Sequence, residues 1–282
     1  MTRPSAPIAV LRSRGLRPSK KRGQHFLTDR NIAGKIQRAV GAAEDDIIVE
    51  IGAGLGALSR GLAERARRVY AVEVDRGVAA ILAEDLRSLD NVVVAVEDIL
   101  GFDLAGVTRR EGVDRVKIVG NLPYCITAPI LLWIVRRARA VSDAFLMMQM
   151  EVAERIAAPP GGTDYGPLTI AVQFWSEPVI LFRVSSGCFS PAPGVESAFV
   201  RLRMTGEPRI TVEDEAFYFD LVRKVFSQRR KMLKNSLLQL EGVNEHLLKT
   251  VEARTGVSLR ARPQELSLDM FAQLARELGA RR

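Results

Sequence analysis

An asparagine, a proline and a tyrosine stand together where an apolar run ends, in the segment VGNLPYCIT at residues 119–127. The amino group of adenine is a poor nucleophile, because its lone pair is delocalised into the ring. The Asn121 side-chain oxygen and a backbone carbonyl of Leu122 or Pro123 would accept hydrogen bonds from such an amine. Pro123 would fix the local backbone, and Tyr124 would stack on a base that has left its helix. The segment predicts an acceptor site for a base, with a plain strand end and a buried tyrosine as the alternative.

Three other predicted strands end in residues typical of a cofactor site. The first ends in EIGAGLG, whose glycines, beginning with Gly52, let the backbone approach a ligand closely. The second ends in Glu73, which is suited to two ribose hydroxyls, and the third ends in Asp98, which is suited to an adenine amino group or to a turn. In an open parallel sheet, ligands bind at the carboxyl ends of the strands. We therefore expect these residues to meet in one pocket.

Two classes of cofactor fit this pattern. Gly52, Gly54 and Ala57 also satisfy the dinucleotide motif, and Glu73 stands where an NAD site has its acid. Glu50, however, would place a carboxylate where a pyrophosphate would be repelled. Carboxylates around a glycine-rich loop suit a cationic, adenosine-bearing ligand, so the sequence favours S-adenosylmethionine, with an NAD-dependent oxidoreductase as the alternative.

The elements that must position these residues alternate between β-branched runs and helical patterns, which is typical of a parallel sheet covered by helices. After residue 206 only helical patterns remain, one of them continuous over 213–240. The predicted fold is α/β, with a Rossmann-like, mostly parallel seven-stranded sheet in residues 25–206 and a small all-helical domain in residues 207–282. The predicted strands are 47–51, 68–74, 92–98, 116–122 and 144–149, with an antiparallel hairpin at 179–184 and 197–204; the helical patterns between them are 55–66, 76–89 and 127–141.

Composition limits the classes of protein. No apolar run approaches the roughly 18 residues that a membrane helix needs, and the hydrophobic fraction of 47% is that of an ordinary soluble protein. Two cysteines make no disulfide framework, and two histidines far apart in sequence predict no metal site. The net charge of +8 and the isoelectric point near 9.9 favour a polyanionic partner.

Two segments concentrate this charge. Residues 1–24 carry seven basic residues and no acid, and residues 226–240 (FSQRRKMLKNSLLQL) also lack an acid. The alternative for each segment is a solvated tail or the solvent-exposed face of a helix. We interpret residues 1–24 as a basic arm of a cytoplasmic protein, with an organelle targeting segment as the alternative. The basic residues of the second segment are Arg229, Arg230, Lys231 and Lys234.

Together, these motifs resemble those of the small-subunit rRNA adenine dimethyltransferases, from about residue 21 to the C-terminal helices. The matching motifs are GQHFL (23–27), EIGAGLG (50–56), VEVD (72–75), EDIL (97–100), GNLPY (120–124), FSPAPGVESAFVRL (189–202) and FSQRRKMLKNSL (226–237). The resemblance implies a class I S-adenosylmethionine-dependent methyltransferase. It would dimethylate the 6-amino groups of two adjacent adenosines near the 3′ end of 16S rRNA, acting as a monomer on a pre-ribosomal 30S particle.

The same resemblance implies roles for individual residues. Phe189 would face the second side of the flipped adenine, and FSQRRK would belong to the RNA-binding surface. The chain departs from the family at His25, where asparagine is common, and at Cys125 and Gly194, which receive no role. The residues implied to line the S-adenosylmethionine site are His25, Leu27, Gly52, Glu73, Asp98 and Asn121.

Two related functions stay open. The large-subunit rRNA adenine methyltransferases that confer antibiotic resistance usually read NIPY, whereas this chain has Leu122. The second alternative is an RNA-binding assembly or transcription factor on the same fold. Loss of Asn121 or Glu73 would favour that alternative, and both residues are present.

Overall fold

The computed structural model describes residues 7–19 and 22–279. Contacts between Cα atoms divide them into two compact units, described separately below. The first contains the described residues up to Ala153 together with Ser176–Gly206, and the second contains Glu154–Trp175 and the described residues from Glu207 onwards. Residues 154–175 thus group with the C-terminal helices, although the sequence analysis assigned them to the sheet domain. Residues 7–19 and 22–24 of the basic arm group with the sheet, and its residues 1–6, 20 and 21 lie outside the described residues.

The first unit contains nine strands, seven of which form one sheet. The strands are β1 (Phe26–Leu27), β2 (Ile47–Ile51), β3 (Arg68–Val72), β4 (Val92–Ala95), β5 (Val116–Asn121), β6 (Val141–Gln149), β7 (Ser176–Val184), β8 (Phe189–Ser190) and β9 (Ser197–Met204). The large sheet has the order β4-β3-β2-β5-β6-β9-β7. Strands β2 to β6 pair in parallel, and β9 pairs antiparallel with both β6 and β7. This confirms the predicted Rossmann-like sheet and its antiparallel edge.

Two helices precede the strands of the large sheet, and further helices lie between or after them. The helices are α1 (Pro7–Ser13), α2 (Arg30–Val40), α3 (Ser59–Ala63), α4 (Arg76–Leu86), α5 (Leu104–Glu111), α6 (Thr127–Val135) and α7 (Met150–Ala157), the last of which crosses the division between the units. Asp75 starts α4, because its side chain accepts hydrogen bonds from the backbone N–H groups of Gly77 and Val78. Helix α3 is shorter than the pattern at 55–66 predicts, because positive φ angles at the glycines up to Gly56 keep the chain in a loop.

A two-stranded antiparallel ribbon joins two motifs that lie far apart in the sequence. Strand β1 pairs with β8, so that Phe26 is opposite Ser190 and Leu27 is opposite Phe189. Each strand has only two residues, too few for an alternating pattern to be visible in the sequence. The ribbon brings the GQHFL segment against the start of the proline-rich loop.

The second unit is helical. Its helices are α8 (Pro167–Trp175), α9 (Glu215–Phe226), α10 (Leu233–Leu237), α11 (Glu245–Thr255) and α12 (Leu268–Gly279). The helix predicted over 213–240 is wrong at residues 227–232, which form a turn between α9 and α10. The first N–H groups of α10, from Leu233 and Lys234, donate to the carbonyls of Ala261 and Leu259 at 2.8 and 3.0 Å. These bonds replace those of a continuing helix. Among the described residues, no helix is long and apolar enough to cross a membrane.

Candidate functional site

A cavity of about 1000 Å³ opens at the carboxyl ends of β2, β3 and β5. The sheet order explains its position, because β2 lies between β3 and β5 and the loops after all three strands reach the same edge. The structure brings together all six residues that the sequence analysis assigned to a cofactor: His25, Leu27, Gly52, Glu73, Asp98 and Asn121. Within the described part of the chain, no group of three or more His, Cys, Asp or Glu side chains could hold a metal ion.

The loop after β2 forms the floor of the cavity through glycines with positive φ angles. Gly52 has φ +67°, and a Cβ atom there would lie 3.4 Å from the carbonyl oxygen of Asn121. Gly54 has φ +57°, and a Cβ atom there would lie 3.2 Å from the ring of Phe26. Both positions therefore need glycine for the backbone angle, and Gly54 needs it also because the Phe26 ring lies close.

Glu73 is held in one orientation by the backbone. Its two carboxylate oxygens accept hydrogen bonds from the N–H groups of Gly54 and Asp75, at 3.0 and 2.9 Å. Burial raises the pKa of Glu73, whereas these two N–H groups lower it. Each oxygen keeps a further lone pair, so the carboxylate can also accept bonds from the two hydroxyls of a ribose.

Glu50 is a second acid on the wall of the cavity, and it is only 2% exposed. Its Oε2 atom has no hydrogen-bond partner among the described residues. Burial, together with the charge of Glu73, raises the pKa of Glu50 to about 8, although the hydroxyl of Ser59 opposes the shift. Burial thus favours the neutral form of Glu50 before a cation binds.

Asp98 and two apolar side chains line the cavity beyond Glu73. The Asp98 carboxylate accepts a hydrogen bond from the N–H of Leu100 at 3.0 Å, so it also has the turn-capping role considered as an alternative. Val74 is 47% exposed, whereas Ile99 is buried, and both line the cavity. They provide apolar surface for a flat ring. The sequence analysis missed them, although Val74 directly follows Glu73 and Ile99 directly follows Asp98.

The side-chain NH2 group of Asn121 is hydrogen-bonded, and its side-chain oxygen is available as an acceptor. Its Nδ2 donates to the backbone carbonyl of His25 at 2.8 Å, which leaves Oδ1 without a partner among the described residues. The carbonyl of Pro123 already accepts bonds from the N–H of Ile126 at 3.1 Å and from the hydroxyl of Thr127 at 3.2 Å. The acceptor pair left open is therefore Asn121 Oδ1 and the carbonyl of Leu122, rather than that of Pro123.

Tyr124 stacks on His25. The ring centroids of Tyr124 and His25 are 5.3 Å apart with an interplanar angle of 29°, and the Tyr124 hydroxyl lies 2.5 Å from Oγ of Ser197. His25 Nδ1 in turn donates to the carbonyl of Pro191 at 2.7 Å. Of the two rings, only His25 lines the cavity.

Phe189 lies where the sequence analysis did not expect it. It is 4% exposed and belongs to the apolar cluster that includes Leu27, Val184 and Phe199. Its place in the ribbon opposite Leu27 directs the ring into this cluster, and it does not line the cavity. The structure thus does not bring Phe189 to the second side of a base.

The basic residues of the second unit differ in their contacts. Arg229 donates to the carbonyl of Thr163, and Lys234 forms an ion pair with Glu245 at 2.7 Å. Arg230 and Lys231 lie on the turn between α9 and α10 and are exposed. Neither has an ionic partner among the described residues. Of the four predicted RNA-binding residues, these two are the ones whose charges are open to a ligand.

A family profile and two relatives identify the same kind of protein. The profile of the family described as ribosomal RNA adenine dimethylase matches residues 16–278. The chain is 41% identical over 281 residues to ribosomal RNA small subunit methyltransferase A of Moorella thermoacetica, which covers 98% of this chain and 97% of the relative. It is 42% identical over 280 residues to the protein of the same name from Streptococcus pneumoniae strain P1031, covering 96% and 95%.

Two solved structures are similar over most of the chain. The 23S rRNA methyltransferase ErmE superposes with a TM-score of 0.69 at 27% identity, covering 90% of this chain and 99% of that one. A dimethyladenosine transferase from Plasmodium falciparum has a TM-score of 0.72 at 24% identity, covering 91% and 98%. The second likeness concerns the fold alone.

Proposed function

The chain belongs to the family of ribosomal RNA adenine dimethylases, and from that premise we propose that it methylates small-subunit rRNA. The groups modified are the 6-amino groups of two adjacent adenosines near the 3′ end of 16S rRNA, and the methyl donor is S-adenosylmethionine. The observation that carries this proposal is the pair of open acceptors, Asn121 Oδ1 and the Leu122 carbonyl, beside the cavity.

The residues of the cavity fit the methyl donor. Glu73 is oriented to accept bonds from the ribose hydroxyls, and Asp98 from the adenine amino group. Val74 and Ile99 offer apolar surface to the adenine ring. Glu50, buried and without a partner for Oε2, gains a charge-stabilising neighbour when a cation binds. When bound, S-adenosylmethionine supplies a methyl group activated by its positively charged sulfur.

The acceptor residues raise the reactivity of the amine by orienting it. Asn121 Oδ1 and the Leu122 carbonyl accept the two amine protons, which favours a tetrahedral nitrogen whose lone pair leaves the plane of the base. Asn121 is prevented from rotating, because its Nδ2 is bonded to the carbonyl of His25. Tyr124, held by Ser197, provides the ring on which the base stacks. Positioning and fixed dipoles accelerate such a transfer without a covalent enzyme intermediate.

The helical unit is proposed to bind RNA. Arg230 and Lys231 are exposed cations without an ionic partner among the described residues, as contacts to a phosphate backbone require. We further propose that the substrate is a pre-ribosomal 30S particle, on which the protein acts as a monomer in the cytoplasm. In this proposal the sheet unit is the methyltransferase domain, and the helical unit, residues 154–175 with the described residues from Glu207 onwards, is the RNA-binding domain.

The names of the relatives favour small-subunit rRNA over large-subunit rRNA as the substrate. The relatives named for the small subunit are 41% and 42% identical, whereas ErmE, which is named for 23S rRNA, is 27% identical. The alternative of an assembly factor without methyl transfer is disfavoured by the six predicted cofactor residues, which line one cavity together with Leu122 and Pro123.

The test is mass spectrometry of nucleosides from separated 16S and 23S rRNA of a strain that lacks the gene. Complementation with the parent gene should restore dimethyladenosine in 16S rRNA, and complementation with an Asn121→Ala gene should not. Restoration in 23S rRNA alone would favour the large-subunit alternative. If the parent gene restored growth or assembly while dimethyladenosine stayed absent from both RNAs, the enzymatic proposal would fail.

A further inference from the structure

Helix α1 is anchored on the sheet unit rather than extended from it. Leu11 is 1% exposed and forms an apolar cluster with Phe26 and Val78. Arg14, directly after the helix, makes an ion pair with Glu84 at 2.6 Å. Val78 and Glu84 both belong to α4, so α1 is attached to that helix and to β1. This is not the arrangement of a free basic arm.

The same helix forms part of the wall of the cavity. Pro7 and Val10 line it, and they lie three positions apart, which places them on one face of the helix. Leu11, the anchor, is next in the chain after Val10. Its partner Phe26 packs against Gly54 of the glycine loop, where a Cβ atom would approach the ring to 3.2 Å.

We propose that α1 is a cofactor-binding element: Pro7 and Val10 cover the apolar surface of the bound methyl donor, and Leu11 holds them there through Phe26. The ligand is an adenosine-bearing sulfonium or thioether, so the proposal rests on the proposed function for the identity of that ligand. The helix slows release of the bound ligand. In the family reaction this matters, because each transfer converts the methyl donor to S-adenosylhomocysteine, which must leave before the second methyl group can be transferred.

The charges of α1 offer a clear way to separate this role from RNA binding. Arg12 is exposed, and Arg14 is already paired with Glu84. If the helix served RNA, Arg12 would be its important side chain. If it serves the cofactor, Val10 and Leu11 are the important ones, and Arg12 is a matched control on the same helix.

The experiment measures the dissociation rate of S-adenosylhomocysteine by stopped-flow displacement from the full-length protein. We expect the double substitution Val10→Ala/Leu11→Ala to raise that rate about tenfold, the factor equivalent to about 1.4 kcal/mol, since apolar contacts are lost. Arg12→Ala should leave it unchanged. A single Val10→Ala variant, which leaves the anchor intact, should give an increase of a few-fold. Hydrogen exchange at residues 8–13 of the parent should slow when the ligand is added.

A dissociation rate in both Val10 variants within twofold of the parental rate would overturn the proposal, as would unchanged hydrogen exchange over residues 8–13. A lower RNA affinity for Arg12→Ala with unchanged ligand release in the other variants would also overturn it and favour an RNA arm. Failure of the proposed function looks different: the parent itself would then bind no S-adenosylhomocysteine.

Discussion

In the cavity of the sheet unit, polar side chains are oriented by hydrogen bonds to the backbone. In the helical unit, the exposed side chains of Arg230 and Lys231 have no such orienting partner among the described residues. Glu73 accepts two backbone N–H bonds, and the Asn121 amide is tied to the carbonyl of His25. Arg230 and Lys231 have no ionic partner within the described part of the chain. Fixed groups suit orientation of a reacting atom, because little reorganisation is needed when the charge develops. Exposed cations suit attraction of a polyanion, which needs charge but little geometry.

The largest effect is expected for Asn121→Ala, which removes an oriented acceptor. We expect the rate of methyl transfer to fall by about 10²–10³-fold, the range typical for loss of one preorganised group. RNA affinity should change by less than about twofold, since no phosphate contact is lost. Single-turnover transfer and filter binding measure the two quantities separately.

Asn235→Ala is the control for this variant, because Asn235 is an exposed asparagine of α10. It should behave like the parent in both assays. A normal transfer rate in folded Asn121→Ala would show that the amine is oriented by other groups.

The next effect is expected for Glu73→Ala. Loss of a charge-assisted hydrogen bond costs about 1.5–3 kcal/mol, so S-adenosylmethionine should bind about ten- to over a hundredfold more weakly by calorimetry. Asp90→Ala, which removes an exposed acid on the loop after α4, is the charge-matched control and should bind normally. Unchanged affinity of a folded Glu73→Ala protein would remove this carboxylate from the cofactor site.

A third prediction concerns pH and Glu50, whose pKa in the folded protein is about 8, above its ordinary value of 4.5. Below pH 8 a bound cation must expel the Glu50 proton, so affinity for S-adenosylmethionine should rise with pH and level off above about 8. The affinity should rise by at most about tenfold per pH unit.

The free energy of unfolding of the ligand-free protein should change with pH in the opposite direction: it should fall as pH rises. Between pH 4.5 and 8 the folded state holds the Glu50 proton and the unfolded state does not, so this group's stabilising contribution is lost as pH rises. Glu50→Gln should remove both dependences. Calorimetric affinities of Glu50→Gln that follow the parental pH curve would assign the titration to another group.

The smallest effect on transfer is expected for Arg230→Ala/Lys231→Ala. Each lost phosphate contact removes close to one unit from the slope of log affinity against log salt, so the slope should fall by about 1.5–2. The control is Arg223→Ala/Lys224→Ala, which removes two charges already paired with Asp220 at 3.3 and 3.2 Å. An equal change in both double variants would mean that net charge matters and the turn does not.

The two regions also differ in how far the sequence could predict them. Strands rich in β-branched residues and the glycines at Gly52 and Gly54 carry strong local signals, so the sheet and the position of the cavity follow from them. The ribbon that buries Phe189 has two residues in each strand, and it forms through pairing with a distant segment. The apolar Val10 and Leu11 are hidden in a segment whose basic residues dominate its composition.

The basic turn was missed for a related reason. No glycine or proline marks residues 227–232 as a break in the helix, and it is backbone bonds from Leu233 and Lys234 to Ala261 and Leu259 that replace those of a continuing helix there. Local sequence patterns thus predicted the features that local strand and helix propensity determines, such as the sheet and the glycine loop. Which carbonyl near Asn121 stays open, and which cations stay unpaired, depend on tertiary contacts.

The most direct test of this difference is single-turnover methylation of 30S particles from a strain that lacks the gene, measured as enzyme concentration is raised to saturation. The account predicts that saturation restores the parental rate to Arg230→Ala/Lys231→Ala, because that variant has lost affinity alone. Asn121→Ala should stay slow at every enzyme concentration. If saturation rescued Asn121→Ala, or if the basic-turn variant stayed slow when fully bound, the division between an orienting cavity and an attracting turn would be contradicted.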